Sequence, residues 1–534
     1  MIRTGRQNVR SRQVDPVKTG SLKAIGLAFL LTAASVALYT GCMTVGATGE
    51  QHLNLIGEQQ EIQMGREADG QIVATMGLYP DEALQSYVKT LGERIAATTE
   101  RPNLPWTFRV VDDEVVNAFA LPGGFIYVTR GILSTLNNEA QLAGVLGHEI
   151  GHVTAMHSVI RISETQLAQL GLGVAGTVAP ELQNYMGLAA AGLQLMFLKF
   201  SREDETQADE LGVRYMAGVH ENPQELIRVM QTLEQVSELS GGKAIPEWSS
   251  THPTPANREQ RLAEQIQTLG VSEQSYEPVD RDGYLQRLAG MVYGPDPREG
   301  YSRDSTFYHP EMRFLFVFPD GWKIINQKTA VIGLSPKQDA TVQISLSREK
   351  SLDAAARGLF DQDGVSSSQV HRAKVNGLST WTGAFTARTA EGDLDGQATF
   401  IEYGGRIYQL IGYSAQTNWP RYSAQILQAL SSFAELTDPQ ALSVKPMRLR
   451  IERVRQSMTL REFQMHNPST ISIEELALIN QVEPDTVLQP GQLVKRVTAE
   501  QVSGAALCRA FRSDIHRKVE GNVGYRTECA GFDG

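Results

Sequence analysis

The apolar positions of this chain follow three rhythms. Residues 24–39 form one largely apolar run. Leu142, Val145, Leu146 and Val153 then recur at helical spacing behind Asn137-Asn138-Glu139, a cap followed by an acid, which predicts a buried helix beginning there. Ser201 ahead of Glu203, Asp204 and Glu205 predicts a second capped helix with an acidic first turn. Between them, residues 163–200 are rich in Leu, Gly and Ala and are broken at Pro180. They read as two apolar helices covering a site as a lid, too interrupted for a membrane helix. Pro122-Gly123-Gly124 is a turn, and Phe125-Ile126-Tyr127-Val128 a strand after it. Past residue 305 the rhythm shortens to strands. Phe314-Leu315-Phe316-Val317-Phe318 runs into the turn Pro319-Asp320-Gly321-Trp322, further strands are expected near 341–346, 397–403 and 406–413, and a closing helix over 422–433.

A chain of 534 residues with 41% hydrophobic content has room for about three cores. Its net charge of −11 excludes nucleic acid as a partner class. The run at 24–39 changes meaning once charge is added. Arg3, Arg6, Arg10, Arg12, Lys18 and Lys23 precede it, the layout of a signal peptide over 1–41. It ends in Leu38-Tyr39-Thr40-Gly41-Cys42, which resembles a bacterial lipobox with Tyr39 in place of an aliphatic residue. Cleavage and lipidation at Cys42 would anchor the chain in the outer membrane on the periplasmic side of the envelope. An uncleaved anchor helix gives the same side. Cys508 and Cys529 are then the pair available for a disulfide.

The chemistry concentrates at His148-Glu149-Ile150-Gly151-His152. Two histidines four residues apart share a helix face and can reach one zinc ion, while Glu149 beside them can take a proton from an attacking water. A third protein ligand is required. His157, five residues past His152, points away if the helix continues. Glu205 is the better candidate, with Asp209 one turn on to accept a hydrogen bond from a ligand histidine. Spacing alone leaves Glu203 and Asp204 as rivals.

Four stretches in order carry a resemblance: Asn117-Ala118-Phe119-Ala120-Leu121-Pro122-Gly123-Gly124, the HEIGH motif, Ser201-Arg202 through Glu205 and Asp209, and Ser250-Thr251-His252-Pro253. Together they resemble the gluzincin superfamily of the HtpX heat-shock and CAAX prenyl proteases, metallopeptidase family 48, on its periplasmic BepA-like and LoiP-like branch. The resemblance spans about 58–267. It implies one zinc per chain on His148, His152 and Glu205, with Glu149 as general base and Asp209 holding a ligand histidine. It also implies a place near the metal for His252, as a cap in a latent state or as a transition-state donor. Residues 305–437 weakly resemble a PsbP-like α/β sandwich. Residues 448–497 resemble a LysM module: Glu474 to Asn480 match its second helix and Leu488-Gln489-Pro490-Gly491-Gln492-Leu493 its closing turn and strand. Gln456-Ser457-Met458-Thr459-Leu460 replaces the usual Gly-Asp-Thr-Leu, which puts glycan binding in doubt.

The expected architecture is multidomain: signal peptide 1–41, linker 42–57, a mainly α-helical α+β gluzincin domain 58–270, linker 271–304, an α/β sandwich 305–437, a βααβ LysM-like module 448–497 and a tail 498–534. The expected function is a zinc endopeptidase that hydrolyses misfolded or misassembled envelope proteins, with peptidoglycan contact open to it. The rival classes are an envelope chaperone or peptidoglycan-linked scaffold with a latent site, and a glycan-active wall protein. The strand at 125–128 is a candidate to pair with an extended substrate.

Overall fold

The computed structural model describes residues 42–169, 198–239, 252, 257–270, 276, 279–389 and 392–499. The expected signal peptide, most of the expected lid and the tail with Cys508 and Cys529 lie outside them. Among the described residues no helix is long and apolar enough to cross a membrane.

The chain opens with a hairpin, β1 (Cys42–Thr44) and β2 (Gln51–Leu53), with Cys42 opposite Leu53. Val45 and Ile56 bury beside Met156, Val159 and Ile160. Residues 42–57 are therefore no linker: their apolar positions are spent on the domain that follows. Helices α1 (Glu58–Met76) and α2 (Glu82–Ala96) lead to three strands, β3 (Thr107–Val111), β4 (Ala118–Leu121) and β5 (Phe125–Thr129). The order is β3-β5-β4, parallel on one side and antiparallel on the other. This corrects the expectation for 125–128. β5 is paired on both sides and all five of its residues are buried, so it has no free edge for a substrate; β3 and β4 are the edge strands.

Helix α3 (Arg130–Thr135) turns the chain into α4 (Glu139–Thr154), followed by α5 (His157–Gln169), α6 (Arg202–Gly218), α7 (Gln224–Leu239) and α8 (Arg258–Thr268). Fifteen of the sixteen residues of α4 are buried, which is why its pattern is apolar nearly all round.

The expected linker 271–304 is ordered in part. Helix α9 (Arg281–Arg287) buries Tyr284 and Leu285, and β6 (Val292–Tyr293) adds a strand to the C-terminal module. Residues from Tyr301 to Glu435 form two antiparallel sheets. Strands β7 (Tyr301–Arg303), β8 (Thr306–His309), β9 (Phe314–Val317) and β17 (Ala434–Glu435) make four strands in the order β17-β9-β8-β7. The larger sheet holds β10 (Lys323–Asn326), β11 (Ala330–Leu334), β12 (Ala340–Leu346), β13 (Val365–Val375), β14 (Leu378–Thr389), β15 (Gly392–Tyr403) and β16 (Arg406–Ala415) in the order β10-β11-β12-β16-β15-β14-β13. Helices α10 (Leu352–Phe360) and α11 (Trp419–Leu430) pack on it, with an aromatic core of Phe314, Phe316, Tyr408 and Phe433.

After the short helix α12 (Pro439–Leu442) comes a βααβ module: β18 (Met447–Arg453), α13 (Leu460–His466), α14 (Ile473–Asn480) and β21 (Leu493–Ala499), with the small pair β19 (Met458–Thr459) and β20 (Val487–Leu488). Its sheet runs β21-β18-β6. Thr459 still caps α13, in a box with Glu462. This module shares one continuous core with the helices of the first half: Leu449, Phe463, Ile479 and Val497 belong to the same cluster as Leu142, Leu146 and Ile150.

Candidate metal centre

Glycines let two helices close on each other. Gly147 and Gly151 of α4 face Gly212 and Ala208 of α6, and a Cβ on Gly151 would stand 3.0 Å from the Ala208 carbonyl oxygen. Asn138 fixes the start of α4 by accepting from the Gln141 N–H, and Ser201 with Asp204 fixes the start of α6 in a capping box. At that separation His148, His152 and Glu205 meet in the interior. His252 joins them, and the four offer ligand atoms all within 4.8 Å of one another.

The hydrogen bonds around the cluster fix which way its lone pairs point. Gln207 donates its amide to Glu50 Oε2 at 3.1 Å, so its carbonyl oxygen faces His157 Nε2, also at 3.1 Å. His157 then donates from Nε2 and accepts at Nδ1, where His152 Nδ1 donates across 2.9 Å. His148 Nδ1 donates to Asp209 Oδ1 at 3.0 Å. Both Nε2 lone pairs are left facing each other at 3.1 Å. The Glu205 oxygens stand 3.5 Å from each. Two lone pairs and a carboxylate turned inward repel unless a cation sits among them. Glu149 Oε1 and Oε2 and Glu205 Oε2 are also buried without a hydrogen-bond partner, and buried polar atoms of that kind call for one. The nitrogen and oxygen donors are those zinc takes, so the residues fit the metal.

Charge tells the same story. Burial opposes a charge on His148, but Asp209 and Glu205 outweigh it and raise its pKa to about 9, the imprint of an anionic cage, and the proton this favours on Nε2 is one that a bound metal would displace. Burial, with the neighbouring histidines His148, His157 and His252, holds His152 well below the usual histidine value, and burial with Glu205 nearby raises Glu149. Burial would raise Glu205, yet His252 and His148 hold it well below the usual carboxylate range. Asp209 is lowered against its burial by Arg258, which donates Nε and Nη2 to the two carboxylate oxygens at 2.7 Å each.

His252 is buried as the fourth member of the cluster. Its Nδ1 is 2.9 Å from Glu205 Oε1 and 3.4 Å from His148 Nε2, and its Nε2 is 3.7 Å from Glu149 Oε1. The rivals for the third position are elsewhere: Glu203 is exposed, and Asp204 is held by Ser201 and by Arg161 at 2.8 Å. Cys42 lies in β1.

Sequence reasoning missed His157, Gln207, Glu50 and Arg258. The reading of His157 as pointing away assumed one continuous helix. Instead α4 stops at Thr154, Met156 takes a left-handed φ of 60°, and α5 begins at His157. The turn swings His157 back onto the far nitrogen of His152. Ala155-Met156 carries no glycine or proline to announce it. For Arg258 there was a signal: a buried Asp209 needs a cation, although nothing in the sequence says which.

The family model Peptidase family M48 matches residues 82–266. The Beta-barrel assembly-enhancing protease of Yersinia pestis is 33% identical over 37% of this chain and 42% of its own length. Mitochondrial metalloendopeptidase OMA1 of Arabidopsis thaliana is 34% identical over 34% of this chain and 36% of its own length. The chain thus spans less than half of each of these two relatives. Among solved structures, a cyanobacterial PsbP from Synechocystis covers 26% of this chain at 14% identity and a TM-score of 0.22, too low to carry an argument. The family match encloses α4, α6 and all four clustered side chains, His252 included, and so residues 82–266 are a peptidase family M48 domain.

Proposed function

We propose that this chain is a zinc-dependent endopeptidase of the bacterial cell envelope, held in a latent state by His252. The carrying observation is the inward convergence of the His148 and His152 lone pairs and the Glu205 carboxylate beside an unpartnered Glu149. His148, His152 and Glu205 would hold zinc. Bound zinc supplies Lewis acidity, lowering the pKa of water and stabilising negative charge on a polarised carbonyl. Glu149, buried and with both oxygens uncommitted, takes the proton of the attacking water and returns it to the leaving amine. Asp209 and His157 keep each ligand ring in the tautomer that turns the Nε2 lone pair towards the metal position. Arg258 keeps Asp209 ionised.

A catalytic zinc site has three protein ligands and an open position, whereas a closed one has four. His252 as fourth donor supports the closed, capped reading over the transition-state donor. Its removal should raise peptidase activity on casein, and a chelator should abolish that activity. A fall of roughly 10²–10³-fold in kcat would instead make His252 a donor to the oxyanion.

The clients we infer are misfolded or misassembled envelope proteins. The support is the similarity to the Beta-barrel assembly-enhancing protease of Yersinia pestis and the signal-like N-terminus with Cys42. Lipid anchoring at Cys42 would place the site at the outer membrane. Replacing Cys42 with Ala should release the protein to the soluble periplasmic fraction.

A further inference from the structure

The active-site helix is gripped from outside its own domain. Gln481, at the end of α14 in the C-terminal module, reaches α4: its side chain exchanges hydrogen bonds with the Gln141 amide at 2.7 and 2.9 Å and donates to the Thr135 carbonyl at 3.1 Å. Gln141 passes the contact on. It donates to Glu225 Oε2 of α7 at 2.9 Å and accepts from the Asn137 N–H at 2.7 Å. Asn138, the cap of α4, donates to the same Glu225 oxygen at 2.8 Å. Beside it, Asn137 donates to the Ile479 carbonyl at 3.1 Å.

Two features make this more than packing. Gln141 precedes His148 by seven residues, two helical turns, so the gripped residue and the first histidine lie on the same face about 10 Å apart. Gln481 also sits at φ 53° and ψ 46°, a left-handed helix end that glycine or asparagine normally fills. A glutamine tolerates that strain here while its side chain spans the interface, and strain of this kind is held where surrounding structure demands it.

We infer that Gln481 is a positioning residue for the metal centre: through Gln141 it sets the rotation and axial register of α4, and with them the meeting point of His148, His152 and Glu205. The inference rests on the zinc reading above. It makes the C-terminal module part of the catalytic machinery rather than a tethered accessory.

The test separates positioning from stability by using the strain. Gln481→Gly removes the amide and relieves the backbone, and Gln481→Asn suits the left-handed turn but is too short to reach Gln141. In the full-length protein, zinc affinity would be measured by competition with a chromophoric chelator, alongside thermal unfolding of the metal-free form. Both variants should bind zinc roughly threefold to tenfold more weakly, below the loss for a direct neighbour of a ligand, with Tm held within about 2 °C of the parent. Met465→Ala, on the exposed side of the module, should change neither. Parent-like zinc affinity in Gln481→Gly and Gln481→Asn overturns the inference, as does a loss of affinity that only accompanies a collapse in Tm. A parent protein that takes up no zinc at all would instead overturn the metallopeptidase reading itself.

Discussion

Glu149 has both carboxylate oxygens buried without a hydrogen-bond partner, a cost of roughly 1–3 kcal/mol that a purely structural residue would shed. Glu149→Gln should therefore keep about one zinc per chain while casein cleavage disappears; zinc content by atomic absorption and a fluorogenic casein assay check both halves. Arg258 tests the outer support. It is buried against Asp209, and Arg258→Leu would strand that carboxylate. Zinc should bind about 10- to 100-fold more weakly, and urea unfolding should show a loss of about 3–5 kcal/mol. These residues differ in how readable they were. His148, Glu149 and His152 declare themselves because one helix turn brings them together in sequence. Glu205 and Asp209 needed only a second helix of known period. His157 and Arg258 depend on a backbone turn at Met156 and on which of many arginines enters the core, and neither is a local property of the chain.

At the level of elements, the centre exists because α4 and α6 approach at glycine contacts. Gly151→Val would drive two extra methyls towards Ala208 and Leu211, where a bare Cβ already meets neighbours at 3.0 to 3.2 Å. The helices should part, with zinc affinity falling at least tenfold and stability by about 1–3 kcal/mol; chelator competition and urea melts read these separately. Helix caps at Asn138 and Ser201 and the strands of the second half were legible because each rests on short-range patterning. The order of the three-stranded sheet was not. Phe125 to Val128 look like any apolar strand, and only pairing with β3 on one side and β4 on the other makes them central. The two supposed linkers failed for a related reason. Val45, Ile56, Tyr284 and Leu285 are too few and scattered to signal structure, yet each is buried against a distant element.

In the whole molecule, the C-terminal module and the M48 domain share a core, and Lys495 pins them. It is fully buried, and its Nζ donates to the carbonyls of Ser134 and Leu136 at 2.6 Å each, at the C-terminal end of α3, while burial pulls its pKa well below the usual lysine value. Lys495→Met would leave both carbonyls without that partner and should cost about 2–4 kcal/mol, seen as one cooperative urea transition shifted to lower midpoint. A split into two transitions would show instead that the parts fold separately. The pin also acts on time. Lys495 and Ser134 are 361 residues apart along the chain. At roughly 5–20 residues per second of synthesis, the pocket for the metal would wait about 20 to 70 s for its final strand. An M48 domain whose core is completed by so distant a segment carries its own delay: until β21 is made, the side chains that would hold the metal stand in an unfinished core.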